Sequence, residues 1–181
     1  MDIKRTFFDE VKIFKPEVYF DHRGFFTESF NNIIEEELNE SFIQDNHSKS
    51  YKNVLRGLHY QWDKPMGKLL RVVSGSGLDV IVDIRKNSDT FGHWESFKLS
   101  EDNHHILWVP PGFAQGFLSF EDKTHLCYKT TALHNSECEG AISPLDNDLN
   151  IDWSINSSSI ILSDKDSLAQ SFNNYTKLIR F

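Results

Sequence analysis

The sequence predicts an all-β fold, an antiparallel sandwich or barrel with a few short peripheral helices. Short strand-like runs recur along the chain, separated by Gly, Pro, Ser, Asn and Asp turn chemistry. Aromatic residues are abundant, with 15 Phe, 5 Tyr and 4 Trp, and such side chains suit half-buried pleated surfaces. Only one segment carries a clear helical pattern, "NNIIEEELNE" over residues 31–40, where Ile34 and Leu38 share one face. Many strands and one minor helix leave few alternatives to sheet-on-sheet packing.

In chain order, "NVLRGLHYQ" (residues 53–61) is a β-like run carrying Arg56, His59, Tyr60 and Gln61. Polar groups this dense must be solvated, satisfied by one another, or aimed at a ligand. "KLLRVVSGSG" ends in a Gly/Ser turn, and "LDVIVDIR" follows with strict alternation. Leu78, Val80, Val82 and Ile84 point one way, and Asp79, Ile81, Asp83 and Arg85 the other. That polar side is either a solvated outer face or the lining of a wet interior. "HHILWV" stops at Pro110-Pro111-Gly112, and "GFLSF" turns at "EDK" into "THLCYKTT". "IDW" and "SIILS" read as late short strands and "DKDSLAQSF" as a terminal helix.

At 181 residues, positions 1–181 form one domain with room for a sizeable core. The formal net charge of −8 argues against nucleic acid as a partner. A local Arg/Lys cluster still permits an anionic small ligand. No apolar run is long enough for a membrane span. The N-terminus has neither the apolar core nor the cleavage site of a secretory signal, so a cytoplasmic location is expected. Cys127 and Cys138, the only cysteines, read as free thiols.

Gly57-Leu58-His59 followed by Pro110-Pro111-Gly112 resembles the cupin pattern, a jelly-roll barrel. Metal-binding cupins need two histidines one residue apart, a nearby Glu and a further His after the Pro-Gly turn. Here the corresponding positions hold Gln61 and Gln115, and neutral amides are poor ligands for such ions. His59 is therefore not expected to hold a metal. His104 and His105 are adjacent on a strand-like run, face opposite ways and read as surface residues.

The chain further resembles the nucleotide-sugar 3,5-epimerases, typified by dTDP-4-dehydrorhamnose 3,5-epimerase. The matching segments are "FDHRGFFTESF", "FIQDNHSKS", "VLRGLHYQ", "GKLLRVVSG", "DVIVDIRKNSDTFG", "LWVPPGFAQGF", "YKTT" and "ILSDKD", in the family's order across nearly the whole chain. The resemblance implies that His59 removes a proton beside the C4 ketone of a nucleotide-diphosphate-linked 4-keto sugar. Imidazole, with a free pKa of about 6.5, suits that role. Asp166 would orient His59, Tyr128 would reprotonate the opposite face, and Lys68 would stabilise the enolate. On residues alone, Asp166 reads as a helix N-terminal carboxylate, Lys68 as a solvated lysine and Tyr128 as a core aromatic.

By the same resemblance, Arg23 and Arg56 lie near the diphosphate, where a planar guanidinium can bond two oxygens. Lys165 is a further binding lysine, and Glu28, Gln44, Asn46 and Glu139 contact the ligand. No cofactor is needed, because the ketone itself acidifies its neighbouring C–H bonds. Members of the family are usually homodimers whose N-terminal strands contribute to the partner's sheet or site. Two positions depart from the pattern. Gln115 replaces a histidine, and His134 replaces an aromatic that stacks on thymine, so a guanosine-linked 4-keto heptose is an alternative to a dTDP-linked hexose. The rival activities are a C3-only epimerase, a non-catalytic sugar-nucleotide binding cupin, a 3,4-ketoisomerase and a metal-dependent oxygenase.

Overall fold

The computed structural model describes residues 1–181. At the N-terminus β1 (Asp2–Arg5) pairs with β2 (Lys12–Lys15), and β3 (Val18–Asp21) with β4 (Gly24–Thr27) forms a separate hairpin. Helix α1 (Asn32–Leu38) matches the predicted segment within its ends. The Asn31 side chain accepts from the Ile33 amide at its start, and Asn39 ends it in a left-handed conformation, φ 52°. Ile34 is buried against Phe14, Leu69 and Trp108.

The body follows as β5 (Gln44–Ser50), β6 (Leu55–Gln61), β7 (Lys68–Ser74), β8 (Ser76–Asp83), β9 (Trp94–Ser100) and β10 (Ile106–Val109). Then come β11 (Phe113–Ser119), β12 (Thr124–Thr130) and β13 (Glu139–Ala141). Two antiparallel sheets result, in the orders β1-β2-β10-β7-β12-β5 and β13-β6-β11-β8-β9. Most connections from β5 to β12 cross from one sheet to the other, the jelly-roll habit expected of a cupin-type all-β domain.

The space between the sheets is filled by Leu70, Val72 and Leu126 from one side and Ile81, Phe113 and Phe117 from the other. A second cluster covers the outer face of the five-stranded sheet. There Val80, Val82 and Ala114 meet Trp153 and Tyr175 of the C-terminal segment. Strand β8 is therefore covered on both faces, and the polar side of "LDVIVDIR" points inward rather than to solvent. Its two carboxylates have different fates. Asp83 is bound by Arg85, Ser88 and Thr90 in a closed turn network, whereas Asp79 faces the cavity machinery described below.

The C-terminal segment departs from the predicted elements. Residues 151–153 and 159–163 are not strands, apart from one isolated bridge between Ile161 and Val54. The predicted terminal helix over 164–172 is helical only in its first turn, α2 (Asp164–Ser167), and a further helix, α3 (Phe172–Lys177), begins at its last residue. Short apolar runs look alike whether they pair in a ladder or merely pack on a sheet. Here they pack, and the Trp153 indole donates to the Pro144 carbonyl.

Gly57 shows why this chain needs glycine beside the site. Its φ is +129°, and a Cβ there would lie 2.5 Å from Gly116 Cα. That close approach seats β6 against β11, next to a register shift between Gln115 and Phe117. No helix is long and apolar enough to cross a membrane.

Candidate active site

Two connected cavities, about 490 and 350 Å³, share the side chains of His59, Lys68, Gln115 and Tyr128. Inward alternation explains the convergence, because these residues come from β6, β7, β11 and β12 of two facing sheets. The larger lobe is walled by Leu55, Phe117 and Ile161 and also holds Arg56, Lys165 and Asp166. The smaller lobe holds Gln44, Asn46, Gln61, Met66, His134 and Glu139.

The His59 Nε2 lies 2.6 Å from Asp166 Oδ1, across 107 residues of sequence. Its Nδ1 has no bond within the protein and is the nitrogen left to accept a proton. Asp166 is buried in α2, whose N-cap is Ser163. Burial pushes the carboxyl up, but bonds from His59, Ser163 and the Gly57 amide outweigh it and hold it below the usual carboxylate range. Asp166 stands in the first turn of a helix, and its side chain also hydrogen-bonds the histidine.

Tyr128 lines both lobes. Burial, then the Glu139 charge, pushes its phenol up against the opposing Arg56, so it stays protonated. Lys68 Nζ donates to Gln115 Oε1 at 2.9 Å, and Gln115 Nε2 donates to Asp79 Oδ2 at 2.7 Å. The amide at position 115 therefore couples the cavity lysine to a buried carboxyl. Asp79 is fully buried, and its Oδ1 is the one buried side-chain polar atom without a partner. Burial drives its pKa upward, with Gln115 and Lys68 opposing, and the same burial lowers that of Lys68. With Asp79 neutral, the carboxylate whose charge acts on Lys68 is Glu139, which lines the same lobe. Asp79 was absent from the residues expected from sequence; its signal was the carboxylate at alternate spacing on an otherwise apolar strand.

A carboxyl raised on folding binds more protons folded than unfolded. Between its unfolded value, about 3.9, and its raised folded value it therefore lowers stability as pH rises, by up to about 1.4 kcal/mol per pH unit. Asp79→Asn removes that slope. Thermal unfolding at pH 4.5, 6 and 8 should show the variant gaining on the native protein as pH increases; a constant difference would contradict the buried, neutral acid.

Arg56 reaches back to Ser50 Oγ at 3.0 Å and to the Lys49 carbonyl at 3.2 Å. Lys165 donates to Glu139, which also lies 3.6 Å from His134 Nε2. Gln44 Nε2 donates to Asn46 Oδ1 at 2.8 Å, and Gln44 Oε1 accepts the His134 amide at 3.1 Å. Eleven of the thirteen expected site residues thus gather at the two lobes, taking His59, Tyr128, Asp166, Lys68, Arg56, Gln44, Asn46, Gln115, His134, Glu139 and Lys165 together. Arg23 and Glu28 do not. Arg23 is exposed on the β3–β4 hairpin and pairs with Asp21 at 2.5 Å, and Glu28 accepts from Asn31 at 3.0 Å.

Chemically, the centre presents an imidazole bonded to a carboxylate, a protonated phenol and a lysine amine around a common space. That set can take a proton from carbon beside a ketone, hold the enolate and return a proton. Comparisons agree with this chemistry. The family model described as dTDP-4-dehydrorhamnose 3,5-epimerase matches residues 5–174. The enzyme so named from Methanothermobacter thermautotrophicus is 46% identical over 90% of this chain and 89% of its own. That from Shigella flexneri is 46% identical over 95% and 96%. The crystal structure of dTDP-6-deoxy-D-glucose-3,5-epimerase from Legionella pneumophila, in complex with dTDP-4-keto-L-rhamnose, superposes with a TM-score of 0.91 at 44% identity, covering 95% of this chain and 93% of that one. A 3'-monoepimerase from Streptomyces bikiniensis in complex with dTDP-quinovose gives 0.90 at 28% identity, over 96% and 89%.

Proposed function

This chain belongs to the dTDP-4-dehydrorhamnose 3,5-epimerase family and is an isomerase, and from that premise we propose that it inverts C3 and C5 of a dTDP-linked 4-keto-6-deoxyhexose in the cytoplasm, for surface-polysaccharide biosynthesis. The observation that carries the reading is the His59–Asp166 pair facing the same space as Tyr128 and Lys68. His59 Nδ1 takes the proton flanking the C4 ketone, and Asp166 steadies the imidazolium that forms. Lys68 stabilises the enolate oxygen, a charge present only as the C–H bond breaks. Tyr128 returns a proton to the other face. Arg56 and Lys165 serve the diphosphate, and Lys165 must leave Glu139 to do so.

The base is read as thymine, since relatives of about 46% identity are named for dTDP sugars. His134 in place of an aromatic still marks the base end as altered, so GDP serves as the competitor in the binding test. The experiment is incubation of dTDP- and GDP-linked 4-keto sugars in heavy water. Two deuterons, at C3 and C5 of the dTDP sugar, are expected. Label at C3 alone would make the protein a mono-epimerase, and no label would make it a binding module.

Arg23 and Glu28 fit the same reading if the protein is a homodimer. The β3–β4 hairpin exposes Tyr19, Phe20, Phe25 and Phe26, an apolar face that calls for a cover. Seating that hairpin on a second copy would bring Arg23 and Glu28 to the partner's nucleotide. Sedimentation as a monomer at assay concentration would remove this part of the reading.

A further inference from the structure

Gln61 plays no part in the proton transfers, yet it is buried within the smaller lobe. Its amide spends both donors on two separate backbone segments. Nε2 donates to the Lys64 carbonyl at 2.9 Å and to the Leu133 carbonyl at 3.2 Å, and Oε1 accepts the Asn135 amide at 2.9 Å. The first segment is the turn that carries Met66, and the second carries His134; both side chains line the same lobe. On its far side the second segment is held by Gln44, whose Oε1 accepts the His134 amide. The two segments are also joined at their ends, by the Trp62 amide to the Cys138 carbonyl at 3.1 Å and the Thr131 amide to the Gly67 carbonyl at 3.1 Å. Between those ends, Gln61 is what satisfies the Lys64 and Leu133 carbonyls and the Asn135 amide.

We infer that Gln61 is a positioning residue that sets the width of the nucleotide-binding lobe, by tying the Met66 turn to the His134 segment. It stands two residues from His59 on β6 and shares its face, so one strand carries both the base and the post that shapes ligand entry. An amide suits the post because the three groups it meets are two acceptors and one donor, a demand that neither a carboxylate nor an imidazole meets alone. Removing it leaves two carbonyls and one amide without their protein partners, and the segments must shift or admit water to satisfy them.

The effect on nucleotide binding rests on the epimerase reading; the effect on the backbone does not. In Gln61→Met, of similar size and without polar ends, the Kd for dTDP by calorimetry and the KM for substrate should both rise about tenfold, about 1.4 kcal/mol. Deuterium uptake at saturating substrate should stay within about twofold of native. In the ligand-free protein, hydrogen exchange at the Asn135 amide should accelerate at least about tenfold. Gln61→Glu keeps the acceptor for Asn135 and loses the donors, so its Asn135 protection should survive while dTDP binding weakens. It carries the test if Gln61→Met does not fold. Unchanged Asn135 exchange in Gln61→Met overturns the positioning role whatever the substrate proves to be. A fall in kcat with KM and Kd unaltered overturns it as well. Native protein that binds no dTDP would instead defeat the functional reading, leaving the exchange result to judge Gln61.

Discussion

His59→Asn should lose at least about 10³-fold in deuterium uptake from heavy water into substrate, with dTDP affinity within a few-fold of native. The size follows from the role: a positioned general base contributes about 10²–10⁴, and no neighbouring group can replace it. Asp166 is the nearest carboxylate, but it is buried and held in its ionised form by His59, Ser163 and the Gly57 amide. Its Oδ1 points at the ring rather than at the ketone side of the cavity. Asn is a smaller, uncharged polar side chain that gives up the Nε2 bond to Asp166 without crowding the cavity, so the fold and the lobe walls should persist. Mass spectrometry of recovered sugar reads the result. Native-level exchange in this variant would refute the assignment of the base.

Tyr128→Phe should separate two events that the native enzyme couples. The His59–Asp166 pair is intact in that variant, so the enolate still forms. Its proton then returns only from the face it left, by an imidazolium that has exchanged with solvent. Recovered substrate should therefore carry deuterium with configuration retained, while inverted product falls by about 10²–10³. NMR of the recovered sugar distinguishes labelled substrate from labelled epimer. The phenol is a good donor because burial and the Glu139 charge keep its proton on. Equal loss of exchange and inversion would mean that Tyr128 shapes the cavity instead of delivering the proton.

Much of the architecture was legible in one dimension. The strands over residues 68–83, 106–109 and 113–130 fall where alternation and turn residues put them, and α1 lies within the run marked by Ile34 and Leu38. The late segment was not legible, because Ile151, Trp153 and Ile160 pack on a sheet face without joining it. Burial by packing and burial by pairing draw on the same residue types. The polar side of "LDVIVDIR" was ambiguous for a related reason. Alternation tells which residues share a face, and only the C-terminal segment covering the other face shows that Asp79 must look inward.

The proton-transfer set was readable only through the family motifs, since His59, Lys68, Tyr128 and Asp166 take their roles from the resemblance, and on residues alone the last three read as ordinary structural side chains. Three matters required the tertiary structure. Asp79 gains its place only through Gln115, which spans 36 residues to reach it. Gln61, notable in sequence for not being a metal ligand, is a post between two loops more than sixty residues apart, by its bonds to Lys64 and Leu133. Arg23 and Glu28 match binding motifs, yet one chain leaves them on an outlying hairpin. The sequence by itself determined the fold class, the strand pattern and the kinds of groups available for acid–base chemistry, because those follow from local periodicity and from side-chain identity. Which groups touch was decided by the tertiary structure alone, because hydrogen bonds and burial depend on distance in space, and the two facing sheets bring together residues that the chain keeps far apart.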